Sequence, residues 1–364
     1  MKGGFRVKRP DWSQIHRDAS FRAYTPILAL LSLIYSGGIH LRDQAYRHQL
    51  MKGRALPGLV VSVGNLTVGG TGKTPAIITL AQWAVRQGYR TVILSRGYGG
   101  KRQKLPLTVS DGSDTSVTGD EPCLLANALP GIPVVVFRKR YQAGLYAKKR
   151  FGTDLFLLDD GFQHLELKRD MDIVLVDAVR PFGNGHLLPW GPLREPVDTL
   201  NRADAIVLTR YEEGDAAEET AASLKQRFPS IPLFYANHRP REVVFSNRSG
   251  TQSPACLKFI RVAAFAGIAH PGVFRKTLEN IGAHVVAFRQ FRDHHRYTRH
   301  DIESLDQMKT DAGAALLLTT EKDWARISKI VPAHVDIAYL TIEFSFLPNS
   351  DEFFRMFRDG LKKP

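Results

Sequence analysis

The chain has 364 residues, 43% hydrophobic and 24% charged, a make-up that excludes a disordered protein and allows one large domain plus a smaller one. Its two cysteines, Cys123 and Cys256, stand far apart without metal-ligand spacing, which argues against a disulfide scaffold or a zinc site and fits a reducing cytoplasmic location. A net charge of +14 calls for a polyanionic partner: nucleic acid, anionic lipid or a phosphate-bearing substrate.

Residues 1–52 read as a helical, membrane-proximal region. Phe21, Tyr24, Ile27, Leu28, Leu31, Ile34 and Tyr35 recur at helical spacing, flanked by Arg17, Arg22, Arg42, Arg47 and His48. The pattern suits a helix lying in a headgroup layer, and equally one packed on its own domain. The apolar run from about Pro26 to Tyr35 is too short to span a bilayer, and no small-residue cleavage site follows it.

The pattern then predicts a buried strand at Val60–Val63, a glycine-rich loop, a helix from Pro75 to about Gln87 and a strand at Arg90–Ser95. Strand, helix, strand is the βαβ unit of a parallel sheet. Further strands are expected at Val134–Phe137, Leu155–Leu158, Ile173–Val176 and Ala205–Leu208, with helices at Tyr141–Arg150 and Glu212–Phe228. Each apolar run is continuous, as in strands covered by helices on both faces. The Gly- and Pro-rich loop from Pro181 to Val197 is long enough to be functional.

Polar residues from Asn237 to Pro254 read as a linker, and a second βα series follows. It has strands at Arg261–Phe265, Val285–Phe288 and Ala315–Thr319, and helices at Pro271–Ile281, Arg299–Lys309 and Glu321–Ile327. The expected organisation is an α/β P-loop fold with a mostly parallel sheet at 53–236, a linker at 237–258 and a smaller α/β domain at 259–364.

The strongest chemical signal is VSVGNLTVGGTGKTP, from Val61 to Pro75, between a predicted strand and a predicted helix. Gly69, Gly70, Thr71 and Gly72 let backbone N–H groups converge on phosphate oxygens. Lys73 would reach the β- and γ-phosphates of ATP, Thr74 would ligate Mg²⁺, and Pro75 suits a first helical turn. Thr67 stands where the strict GxxxxGK[ST] pattern asks for glycine.

The partner motif is LFLLDDGFQH, from Leu155 to His164. A strand-end carboxylate beside a P-loop is where nucleotide-bound Mg²⁺ takes a ligand, so Asp159 and Asp160 are both candidates, unranked. Proton acceptance from an alcohol points to Gly119-Asp-Glu-Pro122, read as a loop, and to Arg292-Asp-His-His-Arg-Tyr297. Thr320-Glu-Lys-Asp323 has a faint likeness to the guanine-reading NKxD motif but lacks its Asn, which disfavours GTP. A P-loop ATPase switch with a protein or nucleic-acid partner is the rival reading, although no nucleic-acid-reading module is present.

SVGNLTVGGTGKTP, LSRGYGG, GDEP, LDDGFQH, LLPWGPLREP and FRDHHRY, in this order over roughly Val60 to Lys322, resemble the tetraacyldisaccharide 4'-kinases of lipid A biosynthesis. Thr67 is usual in that family. The resemblance implies transfer of the ATP γ-phosphate to the 4'-hydroxyl of a tetraacyldisaccharide 1-phosphate, at the cytoplasmic face of the bacterial inner membrane. It implies Asp120 as base assisted by His294, with the adjacent His295 left open. Arg96, Tyr98, Glu121, His164 and Arg194 would line the site, Arg194 contacting either a nucleotide phosphate or the lipid's 1-phosphate. A peripheral enzyme with such a lipid substrate must approach an anionic membrane surface. The family architecture implied is an α/β/α nucleotide domain, a smaller α/β domain and a β-stranded linker.

Overall fold

The computed structural model describes residues 25–101, 103–110, 113–212, 214–247, 250–347 and 350–362. Arg17, Phe21, Arg22 and Tyr24 of the N-terminal pattern lie outside the described residues. Helix α1 (Thr25–Arg47) comes first. It buries Leu28 and Ser32 but leaves Ile27, Leu30, Leu31, Leu33, Ile34 and Leu41 between 46% and 71% exposed. Contiguous apolar exposure of this kind marks an interaction surface. Among the described residues no helix is long and apolar enough to cross a membrane.

The continuous apolar runs become strands β1 (Leu59–Gly64), β2 (Thr91–Ser95), β4 (Val134–Val136), β5 (Leu155–Asp159), β6 (Met171–Asp177) and β7 (Ala205–Thr209), with a short β3 (Leu107–Val109) at the edge. Their order is β7-β6-β1-β5-β2-β4-β3, parallel except for β3 against β4. Helices α2 (Lys73–Arg86), α3 (Thr115–Thr118), α4 (Asp120–Ala128), α5 (Arg140–Phe151) and α6 (Asp215–Arg227) make the crossovers and cover the faces. Coverage on both sides is why these strands carry no polar alternation.

The segment expected as a linker is different: residues 237–245 belong to a long strand, β8 (Leu233–Phe245). Its start pairs in parallel with β7, and from Tyr235 onward it runs antiparallel to β13 (Ile337–Leu347). Both strands expose every few residues a charged or polar side chain, so their composition resembles a loop while their pleat does not. Through β8 and β13 the sheet continues into β12 (Leu316–Thr320), β10 (Arg261–Ala266) and β11 (His284–Gln290), and β9 (Thr251–Gln252) pairs with β8. Helices α7 (Pro271–Ile281), α8 (Arg299–Asp311) and α9 (Glu321–Ile327) serve this second half.

The C-terminal helix α10 (Ser350–Leu361) corrects the expected grouping of residues 259–364 into one unit. Phe353, Phe357 and Leu361 are buried in the core of the first half with Val61, Ile77 and Trp83. Phe357 meets Trp83 edge to face at 5.1 Å and Phe353 stacks on Phe346 at 3.9 Å. Each fully buried ring contributes about 1.5–3 kcal/mol, so the tail is a structural part of the first half.

What positions the site is register. Val63 of β1 stands opposite Asp159 of β5 and Ile173 of β6. The loops leaving β1 and β5 therefore open at the same carboxyl edge of the sheet, where ligands of open α/β folds bind.

Candidate active site

A cavity of about 950 Å³ opens at that edge, between the two halves of the sheet. One wall is the loop at Gly69–Thr74 with Asp159, Asp160, His164 and Arg194; the opposite wall includes Ile268, Phe274, His294 and Leu340. Thr67 does not line it. The Asn65 side-chain amide donates to the Thr67 carbonyl at 2.7 Å, and Thr67 pairs with Leu193, so Thr67 braces the glycine-rich loop from behind.

Gly72 has φ 86° and immediately precedes α2, and a Cβ there would run into the His238 ring. Only glycine combines this left-handed turn with that approach. The first turn of α2 presents N–H groups with no side-chain cap, an anion-binding arrangement. Lys73, in that turn, donates from Nζ to Asn65 Oδ1 at 3.0 Å and lies 3.6 Å from Asp160 Oδ1. Thr71 Oγ1 is buried without a protein partner, and Thr74 faces the cavity.

The two adjacent carboxylates have opposite surroundings. Asp159 ends β5, is 3% exposed, and accepts a hydrogen bond from Ser95 Oγ at 2.8 Å through Oδ2. Its Oδ1 is buried with no partner. Burial first, then the negative charges of Glu121 and Asp160, push this carboxyl up to about 7. Asp160 leaves the strand at φ 53°, which swings it toward cations. It accepts from Arg194 Nη1 at 2.6 Å. Desolvation opposes its charge, yet Lys73 and Arg194 hold it down at about 2.

Positive charge gathers nearby. Arg140 is 5% exposed and its Nε lacks a partner. Burial, and then Arg96, lower its guanidinium to about 10. His164 Nε2 is likewise buried and unpartnered, and burial followed by Arg140, Arg169 and Arg96 brings its ring down to about 4. The buried Arg140 guanidinium favours an anion in the cleft, whereas the neutral His164 ring adds a hydrogen-bonding group and no charge.

At the far side stands Asp120. Its GDEP segment is no loop, because Asp120 and Glu121 form the first turn of α4, where carboxylates suit the helix N-terminus. Asp120 Oδ2 lies 3.1 Å from His294 Nδ1 and 2.7 Å from Arg326 Nε. Burial raises its carboxyl, but His294 and Arg326 together hold it below the usual range. Tyr98, 71% exposed, meets the His294 ring edge-on at 6.0 Å, and Glu121 pairs with Lys322 at 3.4 Å. His295 turns away: it stacks on Phe291 and reaches Asp301 at 3.4 Å. The geometry thus pairs Asp120 with His294.

The profile of the tetraacyldisaccharide-1-P 4'-kinase family matches residues 24–362. The chain belongs to this family. A relative named tetraacyldisaccharide 4'-kinase from Syntrophus aciditrophicus is 41% identical over 88% of this chain and 89% of its own length. One of the same name from Pelobacter propionicus is 40% identical over 86% of each chain. The crystal structure of an "apo" form of LpxK from Aquifex aeolicus in complex with ATP is 31% identical, covers 93% of this chain and 99% of its own, and superposes with a TM-score of 0.72.

In this member of the kinase family, sequence motifs located most of the cleft but missed Arg140, Gln163 and His238, which line it, and Arg326, which stands behind it on Asp120. Arg140 sat in a basic cluster indistinguishable from a solvated face, and Gln163 within LDDGFQH was passed over although it lines the cavity. His238, on the strand expected as a linker, presses on Gly72 with Nε2 buried and unpartnered. Arg326 lies in a short helix opened by the Thr320-Glu-Lys-Asp323 segment; the available signal was its position one turn after Lys322 and Asp323.

The 181–197 loop links the cleft to α1. Tyr35 Oη donates to the Arg194 carbonyl at 2.9 Å and Ser32 Oγ to the Leu187 carbonyl at 2.9 Å. Arg42 and Arg202 both pair with Glu195, which is fully buried. One side of α1 is therefore docked on the protein while the other stays open.

Proposed function

We propose that the chain transfers the γ-phosphate of ATP to the 4'-hydroxyl of a tetraacyldisaccharide 1-phosphate. The observation that carries this reading is one cavity lined by a phosphate loop with Lys73 and by Asp159 with its orphaned oxygen on one side, and on the other by His294, which Asp120 backs at 3.1 Å. Phosphoryl transfer needs little beyond such positioning and charge.

The N–H groups before and within the first turn of α2, with Thr71 and Lys73, take the nucleotide phosphates. Arg194, already beside Lys73 through Asp160, serves the nucleotide side. Thr74 and Asp159 would hold Mg²⁺, with Asp160 engaged by Lys73 and Arg194. The orphaned, buried Asp159 oxygen and its raised carboxyl fit a cation and leave little else that would satisfy it. When bound, Mg²⁺ neutralises charge on the β- and γ-phosphates. The 4'-hydroxyl gives its proton to the Asp120–His294 pair as its oxygen bonds the γ-phosphorus, and the bond to the β–γ bridging oxygen breaks to release ADP. Arg96, Arg140 and His164, with Tyr98 and Glu121 at the rim, suit the anionic sugar headgroup.

The exposed apolar face of α1 and the surplus of basic residues support peripheral attachment to an anionic membrane, at the cytoplasmic face of the bacterial inner membrane where ATP is available. The smaller α/β unit would close over the nucleotide and bring His294 to Asp120. The test is incubation with labelled ATP and tetraacyldisaccharide 1-phosphate in detergent. Labelled lipid is expected. ATP hydrolysis with no dependence on acceptor and no labelled lipid would return the switch reading.

A further inference from the structure

The Thr320-Glu-Lys-Asp323 segment opens a helix at the second-half wall of the cleft. It caps α9: Thr320 Oγ1 accepts from the Asp323 amide at 3.1 Å and donates to Asp323 Oδ2 at 2.7 Å. Asp323 is fully buried and also accepts from the Gly267 amide at 3.0 Å and from Tyr297 Oη at 3.0 Å. One turn after the cap, Arg326 is held in this frame. Its Nη1 donates to Asp323 Oδ1 at 3.0 Å and to the Gly267 carbonyl at 2.7 Å. Only 5% of its side chain is exposed.

From that anchored position the guanidinium leaves the second half of the sheet. Nε donates to Asp120 Oδ2 at 2.7 Å, and Nη2 comes to 3.1 Å from His294 Nδ1. A planar fork with fixed donors fixes what it binds, more than a flexible ammonium does. Asp120 Oδ2 is thus occupied twice, by Arg326 and His294, whereas Oδ1 has no hydrogen-bond partner among the described residues. Asp120 is in contact with Arg326 from α9 and His294 from the loop after β11 and acts on the Cys123 thiol of its own helix; around these stand Lys322 from α9, paired with Glu121, and Asp293 and Tyr98 beside His294.

We propose that Arg326 is a positioning residue for the phosphoryl transfer: by holding Asp120 Oδ2 from a fixed point in the second half of the sheet, it leaves Oδ1 to take the acceptor hydroxyl's proton and makes the Asp120–His294 pair depend on the two halves meeting. The inference rests on the kinase reading above. Arg326 keeps Asp120 ionised as well as aimed, so its loss acts on turnover and on pH dependence together.

The test compares wild type, Arg326→Gln and Arg326→Lys for lipid phosphorylation across pH, with ATP affinity measured separately. Arg326→Gln is expected to lower kcat by roughly tenfold to a hundredfold, to leave ATP affinity within about threefold, and to move the acid limb of the kcat profile to higher pH. In an Asp120→Asn background the same substitution should cost nothing further. An acid limb that stays in place, or a full additional loss in that background, overturns the proposal. If Arg326→Gln does not fold, Arg326→Lys decides: a retained acid limb with kcat reduced severalfold is expected, and wild-type kcat or a displaced limb overturns the assignment. Absence of lipid phosphorylation by the wild-type chain would instead defeat the kinase reading, so the two failures are distinct.

Discussion

At the P-loop end of the cleft Asp159 keeps one carboxylate oxygen buried and unpartnered, whereas at the other end Asp120 meets Arg326 at 2.7 Å and His294 at 3.1 Å. Burial raises both carboxyls, Asp159 being the more deeply buried of the two. The neighbours decide the outcome: Asp159 has Glu121 and Asp160 beside it and is pushed up to about 7, while Asp120 has two nitrogen partners and is held below the usual range. One site is complete within the protein; the other is complete only with an added cation.

The largest effect expected from breaking this contrast is at Asp120. Asp120→Ala should lower turnover on the order of 10²–10⁴-fold, the range of a lost general base, and leave binding of a fluorescent ATP analogue almost unchanged. Equal losses in both measurements would place Asp120 in nucleotide binding instead. Lys73→Ala should follow, with about 10²–10³-fold lost from kcat and, unlike Asp120→Ala, a clear weakening of ATP binding. Nucleotide titration of the two variants side by side separates the ends of the cleft.

Asp159→Asn sharpens the contrast through stability. The Asp159 carboxyl is raised from 3.8 to about 7, so the folded state binds the extra proton between those values and metal-free stability falls as pH rises through that window. The Asn variant should lack this fall and, above pH 7, melt a few degrees higher than wild type without Mg²⁺ and no higher with it. Thermal melts with and without a chelator check this, and an unchanged pH dependence would mean that Asp159 is already neutralised. The smallest effect on chemistry is expected at α1: Leu33→Glu with Ile34→Glu should reduce co-sedimentation with anionic vesicles about tenfold while ATP binding stays at the wild-type level.

Legibility followed the same divide. Pro271–Ile281 and Glu321–Ile327 appear with the bounds that period and breakers predict, and the doubly covered strands β1, β5, β6 and β7 were readable because each is one apolar run. β8 and β13 were not, since a half-exposed strand bearing Asn237, His238, Arg239 and Arg241 has the composition of a linker. α10 was missed for a related reason: its Phe354 and Phe357 find a partner more than 250 residues away, in Trp83 of α2, and no local pattern records that.

The sequence by itself determined the chemistry at the P-loop end, because a phosphate loop and a strand-end carboxylate pair are built from neighbours in the chain whose backbone conformation is set by Gly69, Gly70 and Gly72. Only the tertiary structure decided the other end. Which of two adjacent histidines faces Asp120, and that Arg326 holds Asp120, depend on side chains brought together from 174 and 206 positions apart. Charge at such a site is set by distance in space, and distance along the chain carries no record of it.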